Sequence, residues 1–334
     1  MHRYLTASLS LMVVASCFFG TPVFAGELVR ADPSTGAVAV AHRPSAGDWS
    51  VWLAPDGTRF ERLPFDQAWI LDMVFLPGGD LLVAHGPIPR EGGVQLTRVG
   101  ETSVTTPFVD AWAVGEVLFV RDGSRVALMH NGGGSISTDA GVSFTRVGSW
   151  EEGYGFYAAT AVMNGPDNIT LLAPQFETCS SSDLLYEVHA YSLSSGEVEV
   201  RGSEENEFYA PVAGSGVEYR AREIDMGGAC EIVAVSGGNE QVLHSLEPNG
   251  GCWMQGRTEA ESTVVYVAQH HVISVSPTSA TALGSTSATI EDAIPWQDGA
   301  LALTSGGQLI RFSAGSEPDV LWTVPNARAD NTAE

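Results

Sequence analysis

Two groups of residues in this 334-residue chain have the types and spacing to do chemistry. The first is a set of carboxylates: Asp72 and Glu116 stand before the apolar runs Met73-Val74-Phe75 and Val117-Leu118-Phe119, and Glu291-Asp292 stands before Ala293-Ile294. If these runs are equivalent strands around one axis, Asp72, Glu116 and Asp292 converge there, with Glu27 as a further candidate. Oxygen donors without thiolates suit a hard divalent cation, so Ca2+ is the ion that such a ring would hold. Converging carboxylates can also act as acid and base in a hydrolase, and with neither role they would simply solvate a wet channel mouth. The second group is His42, His85 and His130, which close the apolar runs Val38–His42, Leu81–His85 and Val126–His130 at spacings of 43 and 45 residues. Imidazoles recurring along a rim can bind a ligand. At equivalent positions on the second strands of successive sheets they would stand about 10 Å or more apart, too far to share one ion through bonds of about 2 Å.

The spacing that makes these residues equivalent also names the elements that position them. A period near 43 residues is the length of one four-stranded propeller blade. Residues 68 to 110 show the plan: strands over Ala68–Leu76, Asp80–His85, Gly93–Val99 and Thr102–Val109, with the turn Pro77-Gly78-Gly79 after the first. Residues 111 to 153 repeat it, with Glu116–Val120, a turn over Arg121–Ser124, and Arg125–His130. The junctions match as well, since Pro64-Phe65 to Trp69 recurs as Pro107-Phe108 to Trp112. Further units over 26–67, 154–205, 206–255, 256–286 and 287–325 give an all-β propeller of seven blades, with six as the alternative. A single blade cannot bury both its faces, whereas a closed ring of blades can.

Ser137-Thr138-Asp139-Ala140-Gly141-Val142-Ser143-Phe144 matches the pattern Ser-x-Asp-x-Gly-x-x-aromatic, and Leu53 to Phe60 is a degraded copy. The segment resembles the Asp-box of bacterial neuraminidase (BNR) repeats in sialidase-like propellers. The resemblance implies a structural role for Ser137, Asp139, Gly141 and Phe144: side-chain oxygens accept turn amides, Gly141 supplies positive φ, and Phe144 pins the hairpin. It implies no catalytic residue. The Arg-Ile-Pro element of sialidases is absent from the sequence, and no arginine can be matched to their carboxylate-binding triad.

Composition narrows the function classes. Forty acidic residues face 16 basic ones, all arginine, for a formal charge of −24. Such a chain repels phosphate backbones and anionic membranes, which argues against nucleic acid as a partner. Without lysine there is no Schiff-base chemistry and no P-loop. Residues 1–25 read as an export signal ending in Val23-Phe24-Ala25, which places the mature chain in the periplasm or outside the cell. Val14-Ala15-Ser16-Cys17 resembles a lipobox and offers a lipid anchor through Cys17 as the alternative. Cys179, Cys230 and Cys252 remain, an odd number that permits one disulfide of undetermined pairing. Trp69, Trp112 and Trp296 recur near blade starts, as packing residues do. Trp49, Trp52 and Trp253 lie near loops, where an indole can stack on a sugar or join the core. The polar residues 326–334 read as a disordered tail.

Taken together, these features lead to the expectation of a secreted, monomeric propeller domain over residues 26–325. It binds a protein or glycan through its loop-rich face without catalysing a reaction. The alternative is a metal-dependent or sialidase-like hydrolase with its site at the axis.

Overall fold

In the computed structural model, residues 27–43, 49–65, 69–86, 94–100, 104–107, 117–130, 133–148, 160–164, 168–175, 185–192, 195, 198–202, 207–211, 218–223, 230–236, 239–246, 254–260, 263–268 and 270–325 are described. Their strands form seven antiparallel sheets, each of four strands in simple sequence order. The first strands of the sheets are Leu28–Ala31, Trp69–Phe75, Val117–Asp122, Thr160–Asn164, Glu207–Pro211, Met254–Ala260 and Ile290–Trp296. Each first strand touches the first strand of the next sheet, and the seventh touches the first, so these strands form a closed inner ring. Among the described residues, no helix is long and apolar enough to cross a membrane.

Alternation along the second strands explains why both faces of each sheet are covered. In Val38–His42, Ala39 and Ala41 pack towards the second sheet with Trp49, Phe65, Met73 and Val83. Val38 and Val40 pack towards the seventh sheet with Ile294, Leu301 and Leu303. The second sheet repeats this, Leu81 and Val83 facing the first sheet and Leu82 and Ala84 facing the third. A period of two with both faces apolar produces an unbroken run of buried residues, as Val38–His42 shows. Each large side chain buried this way contributes roughly 1.5–3 kcal/mol.

The expected strands of the second sheet appear at Trp69–Phe75, Leu81–Gly86, Gln95–Val99 and Val104–Pro107. In the third sheet the first strand runs through Arg121 and Asp122, and Gly123 with φ 58° makes a tighter turn than the four-residue one expected. The cause is pairing: Asp122 lies opposite Arg125, which leaves two residues for the hairpin. Residues 1–25, the tail 326–334, Cys179, Cys252, Trp112 and Trp253 lie outside the described residues, as does the side chain of Cys230.

Candidate functional site

The inner strands place two of the three expected carboxylates, and their surroundings are not those of an open cation site. Asp72 and Asp292 each follow a β-bulge, at Ile70/Asp72 and Ile290/Asp292, so both stand within their strands and not at the strand starts. A bulge re-aims the side chain that follows it. Both carboxylates turn onto Arg30 of the first sheet, and all three residues are buried, at 3%, 2% and 1% exposure for Arg30, Asp72 and Asp292.

The guanidinium reaches across three sheets. Its Nη2 donates to Asp72 Oδ1, its Nη1 to Asp292 Oδ2 at 2.7 Å and to Val29 O at 2.6 Å, and its Nε to Met73 O at 3.0 Å. Backbone amides complete the network. Asp72 accepts from Met73 N at 2.8 Å and Phe119 N at 2.7 Å, and Asp292 accepts from Val29 N at 3.0 Å. Each aspartate thus caps an amide on the inner edge of the following sheet, where no neighbouring strand supplies a partner. A cation placed between Asp72 and Asp292 would have to displace the charge of Arg30. Among the described residues no three His, Cys, Asp or Glu side chains cluster as a metal site, and Glu116 lies outside them. Arg30 was not legible as a partner because the four-residue strand Leu28–Ala31 carries no repeat signal. The available clue was the shared Ile-x-Asp of 70–72 and 290–292.

The second group of residues lies at the opposite kind of position, where second strands end and the longer connections begin. His42 is buried, and its Nδ1 lies 2.5 Å from Glu27 Oε1, a close contact without hydrogen-bond alignment. Glu27, the further candidate for the axial ring, thus contacts His42. His85 is half-buried, with Nε2 2.7 Å from Thr97 Oγ1 and its ring edge-on to Phe65 at 5.2 Å. Burial lowers its pKa, which favours the neutral ring. His42 and His85 face different joints of the ring, His42 on the Val40 side towards the seventh sheet and His85 on the Val83 side towards the first. The side chain of His130 lies outside the described residues.

Beside His85, the joint of the first and second sheets gathers aromatic and cationic groups at its loop-rich end. Trp49 and Trp69 meet edge to face at 6.3 Å, and the exposed Arg43 lies 4.2 Å above the Trp69 ring. A cation over an indole face is an attractive contact. The ring nitrogen of Trp49 is buried without a hydrogen-bond partner. Trp49, expected near a loop, is thus core, while Trp69 carries the half-exposed ring. Trp52 packs edge-on to Trp322 at 5.3 Å in the joint between the first and seventh sheets.

The hairpin at residues 137–144 is held by its own side chains. Asp139 Oδ1 accepts from Ser137 Oγ at 2.7 Å and Ser143 N at 2.9 Å, its Oδ2 accepts from Ser143 Oγ at 2.6 Å, and Ser137 Oγ accepts from Gly141 N at 2.7 Å. The bonds from Ser143, then Ser137, hold the carboxyl of Asp139 well below the usual carboxylate range. Gly141 has φ 80°, and a Cβ there would meet Leu76 Cδ2 at 3.0 Å. Phe144 packs on the joint of the second and third sheets. The degraded copy does the same work elsewhere: Asp56 accepts from Thr58 N at 2.9 Å and Arg59 N at 3.0 Å, and Phe60 stacks on Trp322 at 4.2 Å.

Fold and geometry together define the class, and the chain is a β-propeller. No protein-family model matches its sequence, and no curated protein does. Its likeness is to solved structures and shows the fold alone. The chain is similar to the β-propeller domain of the Trilobed protease from Pyrococcus furiosus, described as having an open velcro topology, at 10% identity and a TM-score of 0.59, over 89% of this chain and 98% of that one. It is similar to Ycf48 from Cyanidioschyzon merolae at 10% identity and a TM-score of 0.55, over 85% and 94% of the two chains. The Pyrococcus horikoshii acylaminoacyl peptidase matches at 9% identity and a TM-score of 0.51 over 76% of this chain, which spans 45% of the peptidase.

Proposed function

We propose that this protein is an exported binding module that takes a protein or glycan ligand without transforming it, and that the ligand seats at the loop-rich end of the joint between the first and second sheets. The observation that carries the reading is the stack of Arg43 on Trp69 beside Trp49 and His85. An exposed guanidinium over a half-exposed indole suits a sugar ring or an acidic or aromatic side chain. The burial of Asp72 and Asp292 against Arg30 supports the same reading, because a hydrolase would need these carboxylates free to exchange protons with a substrate. Export with removal of residues 1–25, or tethering through Cys17, and an Asp-box kinship for residues 137–144 belong to this proposal.

The test is an array of neutral and sialylated oligosaccharides, together with an immobilised panel of exported proteins of defined sequence, probed with the parent and with Trp69→Ala and Arg43→Ala. Binding that falls at least tenfold in both variants supports the reading. Binding indifferent to both, or turnover of a sialoside or lactone by the parent, overturns it.

A further inference from the structure

We infer that Arg30 is the pin that closes the ring, and that loosening it opens the joint between the first and seventh sheets while the remaining sheets stay folded. The inference is independent of the ligand-binding proposal. It begins from connectivity. Every sheet is made of four strands consecutive in sequence, so the first sheet, over 28–63, and the seventh, over 290–323, exchange no strand. Among the described residues no backbone ladder crosses that joint. It is also the one joint in the ring that no chain connection spans, since each other pair of neighbouring sheets is joined by the segment leading from a fourth strand to the next first strand. Opening it therefore stretches no loop.

Two things hold the joint. One is apolar: Val29, Ala31, Val38 and Val40 pack against Ile294, Leu301 and Leu303, with Phe60 stacked on Trp322 at the rim. Comparable clusters fill the joints between the first and second, second and third, and sixth and seventh sheets, so this packing does not set the joint apart. The other is Asp292, which accepts from Arg30 Nη1 at 2.7 Å and Val29 N at 3.0 Å. Arg30 in turn is fixed from the far side by Asp72 and by Met73 O at 3.0 Å. The guanidinium thus ties the last sheet to the first and the second at once. A fork of fixed geometry can serve two carboxylates in this way, which a point charge on a flexible stem cannot. Removal of Arg30 leaves two carboxylates buried without their counter-charge, and removal of the Asp292 carboxylate takes an acceptor from Arg30 Nη1 and from Val29 N. Separating the two sheets to admit water is the response that sacrifices the fewest other contacts.

Hydrogen exchange followed by mass spectrometry on the full chain tests this with Arg30→Met and Asp292→Ala, the latter because an asparagine oxygen could still serve both Arg30 Nη1 and Val29 N. The second variant leaves the contact of Arg30 with Asp72 in place, so it addresses the joint alone. Exchange in peptides covering 28–42 and 290–304 is expected to rise at least tenfold in both variants, while peptides covering 263–276 in the sixth sheet keep the parent rate. A uniform rise in all sheets would mean that the pin serves only global stability, and unchanged rates at the joint would mean that packing alone closes it. Either result overturns the inference, as would failure of Asp292→Ala to fold.

Discussion

Asp72→Asn distinguishes a structural carboxylate from a metal ligand. The change is isosteric, yet three donors converge on this side chain: Arg30 Nη2 and Met73 N on Oδ1, and Phe119 N on Oδ2. A carboxylate serves them with two oxygens. The amide of asparagine has one oxygen, so whichever way it turns, its NH2 faces a donor. If Oδ1 stays towards Arg30, the bond to Phe119 N is lost and that amide is buried against another N–H. If it turns, Arg30 Nη2 and Met73 N lose their acceptor, although Arg30 Nη1 keeps Asp292. A hydrogen bond to a charged group contributes about 1.5–3 kcal/mol, and breaking a buried pair costs about 3–5 kcal/mol. We expect about 4 kcal/mol. At about 2–4 °C per kcal/mol for a large domain, the midpoint should fall by roughly 8–16 °C. Calorimetry in EDTA and in millimolar calcium provides the readout. The expected loss is the same in both, because the lost partners are Arg30 and two amides. A variant within about 1 kcal/mol of the parent, or one destabilised only relative to a calcium-loaded parent, refutes the reasoning.

Three further outcomes follow from single contacts. Tyr219 is fully buried, its Oη has no partner, and burial pushes its pKa up to about 12. Tyr219→Phe should therefore stabilise the protein by about 1 kcal/mol in urea unfolding, and a loss of similar size would reveal a bound water on that hydroxyl. His85 has a folded pKa below that of the unfolded chain, as has His244, both through burial. Stability is thus complete above about pH 6.5 and declines as pH falls from there towards the folded values, because the unfolded state takes up protons first. The urea midpoint measured from pH 7.5 to 5 should show this slope, and His85→Gln should flatten it. In the seventh sheet a Cβ on Gly299 would stand 1.9 Å from Phe312 O. Gly299→Ala must push apart two paired strands and should cost about 2–3 kcal/mol by denaturant titration.

What could be seen in the sequence was whatever is written locally. Val38–His42 and Leu81–His85 announce strands covered on both faces because their burial follows from alternation and an apolar run alone. The 137–144 hairpin was equally readable, since Ser137, Asp139 and Ser143 bond within seven residues of one another. Arg30 was not readable in this way. Its partners lie 42 and 262 residues away, and no rule of composition or period links a lone arginine in a four-residue strand to two aspartates behind bulges. The histidines show the same limit. Spacing places His42 and His85 at equivalent strand ends on the same face of their sheets, but their partners differ, Glu27 for one and Thr97 for the other, and no period announces that.

Because each sheet is written by one uninterrupted stretch of about forty residues, the unit of construction coincides with the unit of inheritance. Copying or deleting such a stretch would enlarge or shrink the circumference without severing a ladder, an edit forbidden to rings whose last sheet borrows a strand from the chain start. The same property lets the chain be cut at any connection between sheets without severing a ladder.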